Sequence, residues 1–213
     1  MSLTLAHIDC YLFDLDGTLV DSTPAHERAF LDVLRQEHPE LLVRFDYRAV
    51  AGLTTPAAFR SLGLADAEAT RCALLKQKHY RASVDSGYVP EMPDAGTLLA
   101  ELKARGKNIG VVTSASRVSA LKVLETNALM PHVDIVVAAE DARETKPAPA
   151  PFLNALTKLN ANAAQAVAVE DAPSGFLSAR AAGLKVIGVH QNSVRALSDL
   201  YFTDFAAFRE ALA

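Results

Sequence analysis

Residues 10–18 read CYLFDLDGT, an apolar run that ends abruptly in two carboxylates one residue apart. Cys10-Tyr11-Leu12-Phe13, followed at once by turn residues, predicts a buried parallel strand and so places Asp14 and Asp16 at its carboxyl end. Open α/β sheets bind their ligands at that edge. Alternate strand residues point the same way, so the two acids start on one side of the chain, and Gly17 lets the backbone turn sharply after them. Two like charges this close suit a divalent cation, which offsets their repulsion and accepts hard oxygen ligands. On its own, an Asp-Gly pair equally marks a turn or a helix cap.

From about residue 93 onward, apolar runs alternate with amphipathic segments, as βαβ units of a right-handed parallel sheet require. Residues 108–112, 134–138, 166–169 and 185–189 read as strands, and residues 94–105, 116–127, 149–159 and 174–182 carry helical spacing. Gly106 and Gly183 sit where helices stop. Residues 22–89 differ, because they hold helical patterns with no convincing strand between them. A helix is expected with Thr23 as its cap and Pro24 in its first turn, running through Phe30, Val33 and Leu34. Further helices are expected over 55–62 and 66–82. A helical block inserted after the first strand of such a sheet reads as a lid over the carboxyl edge.

The chain has 213 residues, half of them hydrophobic, which is enough for a substantial core. Net charge is −4, with no run of Lys or Arg, so no nucleic-acid surface or polybasic membrane patch is expected. Cys10 and Cys72 are too few and too far apart for a disulfide framework and read as small buried hydrophobes, in keeping with a reducing cytoplasm. No apolar stretch approaches the roughly 20 residues that cross a bilayer, and no signal peptide is evident at the amino terminus.

Four separated segments end or closely follow expected strands. The first carries Asp14, Asp16 and Thr18. The second is Thr113-Ser114-Ala115-Ser116, whose hydroxyls and N–H groups at a helix start can hold an anion, although Ser and Thr are also ordinary caps. In the third, ETKPAPAP, Pro147 stiffens the loop that presents Lys146 as a compact positive charge. The fourth is Glu170-Asp171 in VAVEDAPSG, two acids at the end of an apolar strand.

The string DLDGTLVDS and the chain order of acids, hydroxyls, lysine and acids again resemble the four motifs of the haloacid dehalogenase-like superfamily over nearly the whole chain. The resemblance implies an α/β fold, a Rossmann-like parallel sheet with helices on both faces, formed by residues 1–20 and 90–213. It also implies an inserted helical cap over residues 21–89. By the same resemblance, Asp14 is the nucleophile and Asp16 the general acid/base. Thr113 or Ser114 binds phosphoryl oxygens, and Lys146 bridges the phosphoryl group and the nucleophile. Mg²⁺ is held by Asp14, Asp16 through its carbonyl, and Asp171, with Glu170 as a direct or water-mediated partner.

Within the superfamily the chain is similar to the subgroup of β-phosphoglucomutase and small sugar phosphatases. His26 lies where the mutase carries a cap histidine, and the residue-level alternative is a packed or solvated side chain. Lys76 and Tyr80, one helical turn apart, point either into a cleft or out to solvent. In GLTTPAAF, Thr55 stands where the mutase has an arginine for its second phosphate, and losing that cation favours simple hydrolysis. The expectation is therefore a Mg²⁺-dependent phosphatase of small phosphorylated metabolites, sugar or polyol phosphates first, with a phosphohexomutase as the alternative. Its partners are expected to be small molecules, with no nucleic acid and no membrane, and the chain a monomer or weak dimer.

Overall fold

Six strands pair in parallel into one sheet among residues 3–51 and 53–212, the residues that the computed structural model describes: β1 (Cys10–Phe13), β2 (Asn108–Val112), β3 (Ile135–Val137), β4 (Ala166–Glu170), β5 (Lys185–Val189) and β6 (Leu200–Phe202). Their order is β3-β2-β1-β4-β5-β6. The chain steps outward from β1 to β3, then returns to lay β4 along the other side of β1. Phe13 therefore faces Val111 across one ladder and Val169 across the other. This reversal opens a crevice at the carboxyl ends of β1 and β4, where such sheets bind ligands.

The chain divides into two compact units, residues 1–21 with 90–213 and residues 22–89. The second unit is helical, built from α1 (Thr23–Glu37), α2 (Tyr47–Val50), α3 (Thr55–Ser61) and α4 (Asp66–Asp85). Phe30, Val33, Leu34, Phe59, Leu62, Ala69 and Cys72 form its core. Two expectations are corrected here. The N-cap of α1 is Ser22 rather than Thr23, because the Ser22 carbonyl already accepts the His26 N–H at 2.9 Å, and Pro24 has no N–H to lose in the first turn. Helix α4 runs three residues beyond 82, since Val84 extends its buried stripe of Ala69, Cys72, Lys76 and Tyr80. Lys76 and Tyr80 are thus buried, and the solvent reading of the pair does not hold.

In the sheet unit the helices are α5 (Ala95–Ala104), α6 (Arg117–Thr126), α7 (Ala150–Leu159), α8 (Pro173–Ala181) and α9 (Phe205–Glu210). Every residue of β1 is buried, and alternation divides them between two layers. Cys10 and Leu12 join Phe152 of α7 and Phe176 of α8 on one face. Tyr11 and Phe13 meet Phe208 and Phe205 of α9 on the other, with ring centroids 6.3 and 6.4 Å apart. Burying the large rings contributes about 1.5–3 kcal/mol each. The two connections to the helical unit run side by side: the Asp21 N–H donates to the Pro90 carbonyl at 2.9 Å, and the Met92 N–H to that of Leu19 at 2.8 Å. Gly52, at the start of the segment GLTTPAAF, lies outside the described residues. No described helix is long and apolar enough to cross a membrane.

Candidate active site

Asp14 is the first residue past β1, and its N–H still donates to the Val169 carbonyl at 2.9 Å, so its position is fixed by the sheet. The chain then folds tightly: the Leu15 carbonyl accepts from both the Leu19 and Val20 N–H groups. Gly17 makes this turn possible with φ +88°, and it also makes room for a neighbour. A Cβ at that position would stand 2.4 Å from Asp171 Oδ2. Thr18, fully buried, donates its hydroxyl to Asp171 Oδ1 at 3.1 Å. The first and fourth sequence segments therefore meet. Asp16 is half-buried on the same turn.

Lys146 reaches in from a loop 132 residues beyond Asp14. Its Nζ donates to Asp14 Oδ1 at 2.6 Å, to Glu170 Oε1 at 2.6 Å and to the Val112 carbonyl at 2.8 Å, which occupies all three hydrogens. Only 6% of the side chain is exposed. Burial works against the ammonium, yet the Asp14 and Glu170 carboxylates outweigh it and hold the pKa above the usual lysine range. The Lys146–Pro147 peptide bond is cis. Glu170 in turn lies against Gly175 in the first turn of α8, where a Cβ would fall 1.9 Å from the Glu170 carboxyl carbon. Glycine is the residue that allows this approach.

The acids are crowded together out of water. Burial pushes Glu170 up to about 8 and Asp171 up to about 7, with the neighbouring Asp14 charge adding to both, and burial also raises Asp14 despite the Lys146 ammonium. Carboxylate oxygens of Asp14, Glu170 and Asp171 lie within 4.8 Å of one another. A buried set of hard oxygen donors that resist ionising together fits a small divalent cation such as Mg²⁺, whose charge would favour the ionised forms. The residues present therefore match the group that the sequence implies.

Thr113 follows β2 and is buried, its N–H donating to the Val137 carbonyl. Its Oγ1 accepts the Ala115 N–H at 3.0 Å, leaving the hydroxyl hydrogen to be donated elsewhere. Ser114 is exposed, and Ser116 serves as the N-cap of α6. One residue near this edge carries no sequence signal at all. His190, just past β5, brings its Nε2 to 3.1 Å from the Thr18 carbonyl.

The remaining expected site residues belong to the helical unit. There Lys76 Nζ lies 2.6 Å from His26 Nδ1 and above the rings of Phe30 and Tyr80, at 5.1 and 5.2 Å from their centroids. His26 stacks on Tyr80 with centroids 4.1 Å apart. Burial and then the Lys76 charge pull the histidine down to about 3, so it is neutral and can accept from the ammonium. Thr55 is half-buried in the first turn of α3, whose N-cap is Thr54.

A parallel sheet here carries an acid pair after its first strand, a lysine bridging that strand to a second acid pair, and a hydroxyl-bearing turn after its second strand. Residues 11–189 match the family model of the haloacid dehalogenase-like hydrolases. The chain is 36% identical over 184 residues to hexitol phosphatase A of Escherichia coli (strain K12), covering 84% of this chain and 82% of that protein. It is 34% identical over 219 residues to phosphoglycolate phosphatase of Rhodospirillum rubrum, covering 94% and 89%. A crystal structure of a predicted phosphoglycolate phosphatase from Haemophilus somnus 129pt shares the fold, with a TM-score of 0.85 at 22% identity over 97% and 99% of the two chains. The chain belongs to the haloacid dehalogenase-like hydrolases, and it is a phosphatase of that family, a phosphoric monoester hydrolase.

Proposed function

We propose that the protein is a Mg²⁺-dependent phosphatase of small phosphate monoesters, sugar or polyol phosphates first, working through an aspartyl phosphate at Asp14. The observation that carries this reading is Lys146 Nζ between the Asp14 and Glu170 carboxylates at the carboxyl edge of β1 and β4. The hexitol phosphatase among the relatives supports the substrate class.

A phosphate monoester repels a carboxylate, so attack by Asp14 needs positive charge at hand, and Lys146 supplies part of it. Held by Asp14, the Asp16 carbonyl and Asp171, with Glu170 as a direct or water-mediated partner, Mg²⁺ would supply the rest. An Asp14 oxygen bonds to phosphorus while the bond to the leaving oxygen breaks, and Asp16 gives that oxygen its proton. Asp16 then takes a proton from the water that attacks phosphorus, which releases phosphate and restores the Asp14 carboxylate. Thr113 or Ser114 binds the transferring phosphoryl oxygens. The helical unit is the cap, with His26, Thr55 and Lys76 as its substrate contacts. A reducing cytoplasm suits Cys10 and Cys72, both unpaired and buried.

Phosphate release across hexose, pentose, polyol and nucleotide monophosphates, compared by kcat/KM with Mg²⁺, tests the substrate class. Sugar and polyol phosphates are expected to lead. Conversion of glucose 1-phosphate to glucose 6-phosphate without phosphate release would instead identify a mutase.

A further inference from the structure

His190 adopts φ +61°, a left-handed conformation that side-chain-bearing residues seldom enter and keep only when their surroundings impose it. Here the surroundings do so. Its N–H donates to the Phe202 carbonyl at 3.2 Å, and its ring stands edge-on to Phe205 with centroids 4.7 Å apart. The ring Nε2 lies 3.1 Å from the Thr18 carbonyl oxygen, across 172 residues of sequence. A carbonyl oxygen only accepts, so Nε2 carries the hydrogen. Burial holds the imidazole below its ordinary range, against backbone hydrogen bonds to Thr18 and Thr203 and the Asp204 charge, which pull the other way.

Thr18 is consequently gripped from two sides, its carbonyl by His190 and its hydroxyl by Asp171. It closes the turn that begins at Asp14 and carries Asp16. Gly17 within that turn has no side chain to brace it, so the anchors at Thr18 limit how far Asp16 can drift.

We infer that His190 is a positioning residue, which fixes Thr18 and through it the turn presenting Asp16, so that losing the ring weakens protonation of the leaving group. The inference rests on the reading of Asp16 as general acid.

The test compares phenyl phosphate with 4-nitrophenyl phosphate, two esters that differ chiefly in how much their leaving oxygen needs a proton, in pre-steady-state measurements of the transfer step. His190→Gly removes the ring while suiting the left-handed backbone, and His190→Gln restores an N–H near the place of Nε2. For His190→Gly the transfer rate on phenyl phosphate is expected to fall about tenfold with KM little changed, and that on 4-nitrophenyl phosphate to stay within about twofold. His190→Gln should recover most of the loss. Equal losses on both esters, no loss on either, a loss confined to KM, or failure of His190→Gln to rescue would each overturn the inference. Asp16→Ala, measured alongside, separates the two ideas: if it discriminates between the esters and His190→Gly does not, the positioning role alone fails. If Asp16→Ala does not discriminate, the acid assignment and this inference fall together. Should His190→Gly unfold, His190→Ala against His190→Gln gives the same comparison.

Discussion

Lys146 donates to Asp14 Oδ1 at 2.6 Å and shares the same Nζ with Glu170 Oε1 at an equal distance. One buried cation therefore spans the ends of two adjacent strands, β1 and β4. Lys146→Met would leave two buried carboxylates without their counter-charge, which costs about 3–5 kcal/mol when one partner of such a cluster is removed. The expected result in denaturant titration is a loss of this order together with loss of turnover. A fully stable and active Lys146→Met would show that the cluster does not depend on the ammonium.

Asp14→Asn keeps the size of the side chain and its place beside Val169, but removes the nucleophilic charge. Turnover is expected to fall by at least about 10³-fold while the circular dichroism spectrum and melting temperature stay near those of the parent. Normal phosphate release from the folded variant would refute the nucleophile assignment.

Asp16→Ala is expected to slow transfer from esters with strongly basic leaving groups by about 10²-fold or more, and from 4-nitrophenyl phosphate much less. Equal slowing at that step would rule out its role as acid.

The raised carboxyl groups give a pH signature to metal binding. Glu170 at about 8 and Asp171 at about 7 hold protons in the metal-free folded state that the unfolded chain, with ordinary carboxyl values, has already released. Their contribution to stability is therefore complete only below the ordinary carboxyl range and falls progressively as pH rises from there through 7 to 8. Mg²⁺ bound to the ionised forms would reverse that loss, so the rise in melting temperature on adding Mg²⁺ should be larger at about pH 8 than at about pH 6. EDTA should abolish turnover and Mg²⁺ restore it. An equal thermal shift at both pH values, or full activity in chelator, would contradict the metal site.

The strands that carry the chemistry were legible because each is a buried apolar run stopped by polar residues. Asn108–Val112 and Lys185–Val189 have the bounds that the sequence suggested, and Ile135–Val137 differs by one residue at each end. Strand β6 is only three residues, Leu200-Tyr201-Phe202, all half-buried, too short for alternation to mark it. Helix α9 had a usable signal in Asp204, whose Oδ1 accepts the Ala207 N–H at 2.8 Å, followed by Phe205 and Phe208 on one face. The meeting of Lys146 with Asp14 followed from a family resemblance, since nothing local in ETKPAPAP tells a clamped lysine from a solvated one. His190 was invisible for a different reason: its partner is a backbone carbonyl, which leaves no trace in residue identity.

The central claim is a covalent phosphate on Asp14, and acid-quenching the enzyme during turnover, followed by borohydride reduction and peptide mapping, tests it most directly. Reduction of an aspartyl phosphate converts that residue to homoserine. The account predicts homoserine at position 14, dependent on substrate and missing from Asp14→Asn. Reduction at another carboxylate, or none under conditions where the leaving alcohol is released in a burst ahead of phosphate, would contradict it.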